Sequence, residues 1–168
     1  LSSGDMVVSG ILRLSQYPGE TGFTSVGSTS LQVNVYKVTS SWTGSSVKKS
    51  TGYSGLPSID TTVVDYQNVS LATANAGEFI KFNVSKIVKQ WYEGETNYGL
   101  CLRADDEDAW ALAAFIASEN TKYSDKKPSL VVTYRNNKGL EGYWTTHEQN
   151  LGESGVGYVN DYTGNLVY

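Results

Sequence analysis

Residues 81–102, "KFNVSKIVKQWYEGETNYGLCL", interrupt a chain that otherwise alternates apolar and polar residues. Alternation with a period of two marks a half-buried strand. Within this stretch Val84, Ile87, Val88 and Trp91 recur instead at helical spacing. They predict one apolar stripe along a short helix at about 84–93. Lys86, Lys89 and Gln90 take the other side. Asn83 or Ser85 serves as N-cap, because either side-chain oxygen can accept from an unpaired N–H of the first turn. Gly94 follows as the C′ residue, where a left-handed backbone carries no Cβ strain. A helix of about three turns does not persist alone, so its stripe must dock on a sheet. That requirement places Trp91 in the core. Tyr92 lies one step round, at the edge, where a ligand contact stays open.

The flanking chain reads as strands joined by polar loops. "MVVSGILRL" (6–14) puts Val8, Leu12 and Leu14 on one face, and 16–30 is loop. "LQVNVYKVT" (31–39) alternates Leu31, Val33 and Val35, with Val38 shifted by one, against polar Gln32, Asn34 and Lys37. A long polar connection over 40–61 carries Trp42, Tyr53 and Pro57. Strands follow at 62–71 and 77–84, where Phe79 is opposite in phase to Ile80 and Phe82. Further strands are expected at 97–104, 110–120 and 125–134, with Pro128 near the start of the last, where its missing N–H is tolerated. After Tyr134 the texture changes to Gly, Asn and Tyr. It reads as an extended segment, then a hairpin "YVNDYTGNLVY" turning at Gly164 and Asn165. The fold class is all-β: an antiparallel sandwich with one short helix and an extended C-terminal tail.

Composition narrows the function. Charged residues make up only 18% of the chain, and Ser, Thr, Gly, Asn and Tyr fill the difference, as suits an extracellular β-domain. A net charge of −4 without a basic block argues against a nucleic-acid partner and disfavours anionic membranes. No apolar run has the length of a transmembrane helix. The N-terminal "LSSGDMVVSG" lacks the basic start of a signal peptide and an initiator Met, which suggests a piece of a longer polypeptide. Cys101 is the only cysteine, so no internal disulfide forms, and its apolar neighbours read as a small buried strand position.

No catalytic constellation stands out. His147 is the only histidine, in the weakly patterned tail, and reads as solvent-facing. The "DDED" turn (105–108) groups carboxylates that calcium favours, Asp105, Asp106 and Asp108 among them. It lacks the spaced pattern of a calcium loop, so a solvated hairpin tip is the expected state. No metal or cofactor is implied. Lys48–Lys49 and Lys126–Lys127 form two basic pairs, either solvated faces or contacts for an acidic polysaccharide. Tyr53, in a Gly/Ser loop, and Trp110, beside the acidic turn, are the aromatics placed to stack on a sugar, with plain packing as the competing reading.

Three stretches carry a resemblance. "VYKVTSSWTGSSV", "FIKFNVSKIVKQWYEGETNYGLCLRA" and "FIASENTKYSDKKPSLVVTYRN" together resemble the DNRLRE domain family of bacterial and archaeal surface proteins. The family pattern falls on Phe82, Asn83, Val84, Ser85, Val88 and Trp91, then Asn97, Tyr98 and Gly99, and closes on Pro128, Leu130, Val132 and Tyr134. The resemblance spans roughly residues 1–135 and implies a jelly-roll-like sandwich that binds carbohydrate without catalysis. In it Trp42, Asn83, Trp91, Gly94 and Cys101 are structural. Two features depart from the pattern: one or more opening strands are absent before Leu1, and "STGYSGLP" replaces a usual aromatic stretch, with Tyr53 as its aromatic. The tail, 136–168, is similar to the junction leading into Rhs/YD-repeat shells of Gram-positive wall-associated proteins, on Asp161, Gly164, Asn165 and Leu166. The resemblance implies a secreted or wall-associated module. Its ligand is a polysaccharide and its other partners are adjacent domains of the same polypeptide; the alternative is a structural spacer supporting a YD-repeat toxin shell.

Overall fold

The computed structural model describes residues 1, 4–17, 30–43, 56–70, 79–105 and 113–136, together with the backbone of strands at 141–148, 157–161 and 166–167. Two antiparallel sheets lie over a shared core. The first is built around β1 (Met6–Ser15), flanked by β4 (Phe79–Asn83) and β6 (Ser129–Arg135). Beyond β6 it continues through β7 (Glu141–Glu148), β8 (Gly157–Asp161) and β9 (Leu166–Val167). The second sheet has β2 (Ser30–Lys37) between β3 (Asp65–Ser70) and β5 (Leu100–Ala104). The core joins Val7, Leu14, Phe82 and Val132 of the first layer to Leu31, Val33, Val35 and Val69 of the second. The chain is therefore all-β and sandwich-like, as the alternation predicts. Among the described residues no helix is long and apolar enough to cross a membrane.

The strand phases follow the sequence except where the backbone breaks them. A register shift between Val7 and Ser9 inserts one extra residue into β1. Such a bulge reverses the facing of everything before it. Val7 is therefore buried at 3% exposure, while Val8, expected in the core, is 40% exposed. Leu12 and Leu14 keep their expected face. The strand expected at 110–120 does not form over its described part. There Phe115 makes one isolated bridge to Gln16, and the chain turns at Ser118–Glu119. Alanine-rich sequence gives a strand little side chain to pack. The expected strand at 62–71 is shortened to β3, and the turn before it is held by the Thr62 N–H, 2.9 Å from Asp60 Oδ1. That backbone bond, with a second from the Thr62 side chain, holds the Asp60 carboxyl below its ordinary 3.8. The contribution is present above that value and is lost as pH falls through the lowered one.

The helix α1 (Ser85–Tyr92) docks on β1. Its N-cap is Val84, which makes no side-chain cap bond. This corrects the expectation that Asn83 or Ser85 would occupy the cap. Asn83 still acts from one residue earlier: its Oδ1 accepts from the Ser85 N–H at 3.1 Å and from Ser85 Oγ at 2.6 Å. Ser85 has a different task. The Val84 N–H donates to the Gly10 carbonyl at 2.9 Å, continuing the β1–β4 ladder. The return bond would need the Val84 carbonyl, which already accepts from Val88 N–H at 3.0 Å inside the helix. Ser85 Oγ substitutes for it and accepts from Gly10 N–H at 3.0 Å.

The other end of α1 closes with a Schellman arrangement. Gly94 N–H donates to Trp91 C=O at 3.2 Å, Glu95 N–H to Gln90 C=O at 3.0 Å, and Gly94 has φ 108°. Ile87 and Val88 are buried, and Trp91 packs half-buried against the core. Lys37, reaching from the end of β2, donates to Gln90 Oε1 and forms an ion pair with Glu95.

Two further segments lock together beside β5. Trp42 Nε1 donates to the Tyr98 carbonyl at 2.7 Å. Asn97 Oδ1 accepts from Gly99 N–H at 2.8 Å, and Gly99 has φ 95°.

A Cβ on Gly10 would lie 2.5 Å from Val88 Cγ2, so α1 sits directly on this glycine. We expect Gly10→Ala to destabilise the fold by about 1–3 kcal/mol through overpacking. Adding Val88→Ala should cost less than the two single changes summed, as read from urea unfolding. Ser85→Ala leaves the Gly10 N–H without its acceptor and should cost about 1–3 kcal/mol. An unchanged unfolding midpoint would show that the hydroxyl is not needed there.

Candidate functional site

Alternation in the second sheet turns Leu31, Val33 and Val35 into the core and sends Gln32, Asn34 and Tyr36 to the outer face. The register completes that face. Asn34 lies opposite Tyr66 on β3 and opposite Arg103 on β5, Gln32 lies opposite Asn68, and Tyr36 lies opposite Cys101. Tyr66, Asn34 and Arg103 therefore form one row across three strands. At about 4.8 Å per strand the row spans about 10 Å.

Burial sorts these residues into two tasks. Tyr66 is 53% exposed, and Asn68 and Arg103 are exposed on either side. Asn34, in the middle, is only 2% exposed. It is a buried carboxamide with its hydrogen bonds made. Its Nδ2 donates to Asp105 Oδ1 at 3.1 Å and to Tyr36 Oη at 3.3 Å, and its Oδ1 accepts from Gln32 Nε2 at 3.0 Å. Asn34 thus fixes the positions of Gln32, Tyr36 and Asp105. The outer groups are an aromatic face, carboxamides that both donate and accept, and a guanidinium that donates only. Such a set suits a ligand with one apolar surface and many hydroxyls.

The framework behind the face is tied to the first sheet. The Asp65 carboxylate, next to Tyr66, accepts from the Asn83 N–H at 2.6 Å. At the other end of β3, Gln16 Nε2 donates to the Ser70 carbonyl at 2.8 Å.

The residues singled out in the sequence lie elsewhere. Tyr92 ends α1 and packs half-buried against the core, away from the Tyr66 row. Tyr53 and Trp110 lie outside the described residues, as do Asp106 and Asp108. Asp105 is exposed and accepts the Asn34 hydrogen bond. Among the described residues no three His, Cys, Asp or Glu side chains come together to hold a metal. The backbone of His147 lies in β7 opposite Ser129. Cys101 corrects its expected place: it is a strand residue, but half-buried on the outer face opposite Tyr36 and not in the core.

The chain was compared with known families, proteins and structures. It matches no family model, no curated protein and no solved structure. The site therefore stands on its own geometry.

The residues missed in the sequence lie in "LQVNVYK" and "DYQNVS", with Arg103 added from β5. The apolar half of each alternation gives the core, and the polar half, Gln32–Asn34–Tyr36 and Tyr66–Asn68, gives the face. We expect Asn34→Ala to strand the partners of a buried carboxamide and cost about 1–3 kcal/mol of stability. Thermal unfolding checks this, and a change within error would show that the Asn34 network does not support the face.

Proposed function

We propose that the chain is a non-catalytic binding module for carbohydrate, of the polysaccharide class, within a secreted or wall-associated bacterial protein. The observation that carries the reading is the half-exposed Tyr66 ring with Asn68 on the same strand and Arg103 at the far end of the row, around an Asn34 that is already hydrogen-bonded. A sugar ring stacks its C–H face on Tyr66 and directs its hydroxyls to Asn68, Gln32 and Arg103. Gln32 is held by its bond to Asn34 before the ligand arrives, which lowers the ordering cost of binding. The resemblance to DNRLRE domains supports the same ligand class and the same surface location. Among the described residues the row lies along a sheet face, and this favours recognition of a chain over enclosure of one reacting bond.

An affinity-gel panel of neutral and acidic polysaccharides, alginate and wall glycans included, tests the reading. We expect retention on at least one gel. Tyr66→Ala should weaken it by about tenfold or more, in line with the loss of one aromatic stacking surface. The unfolding midpoint of Tyr66→Ala should be nearly unchanged, because the ring is exposed. No retention on any gel would leave the spacer reading, in which the module supports a YD-repeat shell.

A further inference from the structure

We infer a second site on the opposite side of the molecule: an oxyanion site on the outer face of the first sheet, formed by Arg13, Lys81 and Lys126 around Phe79. It takes a carboxylate, sulfate or phosphate group. It is independent of the Tyr66 face.

The phase of the strands builds it. Leu12 and Leu14 point into the core, so Arg13 lies on the outer face, in register with Lys81 on β4 and Ser129 on β6. Phe79, two residues before Lys81, shares that face. The Arg13 guanidinium lies over the Phe79 ring, 3.9 Å from its centroid. Lys126, from the short 3₁₀ turn Ser124–Lys126, brings its ammonium to 5.4 Å from the same centroid. Three elements thus converge two cations on one aromatic ring, with a third cation in register beside them.

Convergence of like charge is unfavourable unless something offsets it. The ring quadrupole offsets part of it. Hydrogen bonding offsets little for two of the three. Arg13 Nε is buried without a partner, and neither Arg13 nor Lys81 has a hydrogen bond or ion pair among the described residues. Lys126 lies 3.5 Å from Asp125, whose side chain is 74% exposed. Ser15, two residues beyond Arg13 on the same face and fully buried, also has an unpartnered Oγ. On a chain of net charge −4 this is a local excess of donors and positive charge. A planar or tetrahedral oxyanion supplies acceptors to the part of the half-buried Arg13 guanidinium that faces solvent, with Lys81 and Lys126 as flanking point charges. The stacking on Phe79 holds the guanidinium flat and ready.

Inorganic sulfate and phosphate are the minimal probes, titrated against the full chain by two-dimensional NMR. Saturable shifts centred on Arg13, Phe79, Lys81 and Lys126 are expected, weakening as sodium chloride is raised. Dextran sulfate and polygalacturonate, against neutral dextran, distinguish a free ion from a group carried on a polymer. Affinity that rises with polymer length identifies the polymer source, and equal affinity for ion and polymer identifies the free ion. Lys81→Gln and Lys126→Gln should each weaken binding by about three- to tenfold. Lys89→Gln, on the exposed side of α1, should leave it unchanged. Arg13→Gln should weaken binding most, with its fold checked by thermal unfolding. Shifts spread evenly over the surface, or an equal loss in Lys89→Gln, would overturn the site, as would no binding of any anion. Inorganic-ion shifts centred on Tyr66 and Arg103 instead would place the anion on the carbohydrate face and overturn the second site.

Discussion

The contact between α1 and Gly10 is the joint on which the two layers depend. At this point β4 must stop being a strand and become a helix, yet β1 still presents the Gly10 N–H and C=O to it. A chain that simply curled away would leave both groups buried and unpaired, at a cost comparable to that of losing them as hydrogen bonds outright. Val84 meets the carbonyl with its own N–H, and Ser85 meets the N–H with its hydroxyl. The glycine at position 10 lets Val88 sit where a side chain would stand. Backbone satisfaction and close packing are therefore solved by the same few residues. The helix can then lie low enough for Val84 and Val88 to join the core that both sheets share.

From that joint the geometry of the outer faces follows. The end of β4 holds β3 through the Asn83 N–H and Asp65. The C-terminal turn of α1 holds the end of β2 through Lys37, Gln90 and Glu95. The two strands that present Tyr66 and Asn34 are thus each tied at one end, β3 to the end of β4 and β2 to the C-terminal turn of α1. The Asn34 bonds to Asp105 and Gln32 add a lateral tie across the face. A binding surface on a sheet is only as well placed as the register of its strands, because a slip of one residue would turn Tyr66 into the core.

Much of this was legible in the sequence, and the limits have physical causes. The helix, its docking stripe and its Gly94 terminus follow from spacing and the absence of Cβ, which are local properties. The strands at β2 and β4 follow from alternation. Val8 misled because a bulge is not a local property: it depends on how β1 pairs with β6, which no single strand reveals. Ser85 misled because its hydroxyl answers a backbone group 75 residues away. The Tyr66 row was present in the polar positions of three strands, but the three residues come into one row only through register, at positions 34, 66 and 103. Aromatics in loops drew attention because loops usually carry function, while an exposed aromatic within a short strand reads as ordinary β-propensity.

The two outer faces differ in kind, and the difference follows from what lies behind each. Behind the Tyr66 row the carboxamide of Asn34 has its bonds made by the protein, so the face offers shape and neutral hydrogen bonding in addition to one guanidinium. On the Phe79 side Arg13 Nε is buried without a hydrogen bond, and the face offers donors and positive charge. The first is satisfied without a ligand and so can be selective with little strain. The second carries a desolvation cost at Arg13 that an anion removes. Salt should separate them for the same reason, because stacking and neutral hydrogen bonds are weakly screened while interactions between exposed charges are screened by mobile ions. A polymer with alternating neutral and acidic segments could engage both faces only by passing around the sheet edge. Simultaneous occupancy by one chain is therefore a question of chain length before it is one of affinity.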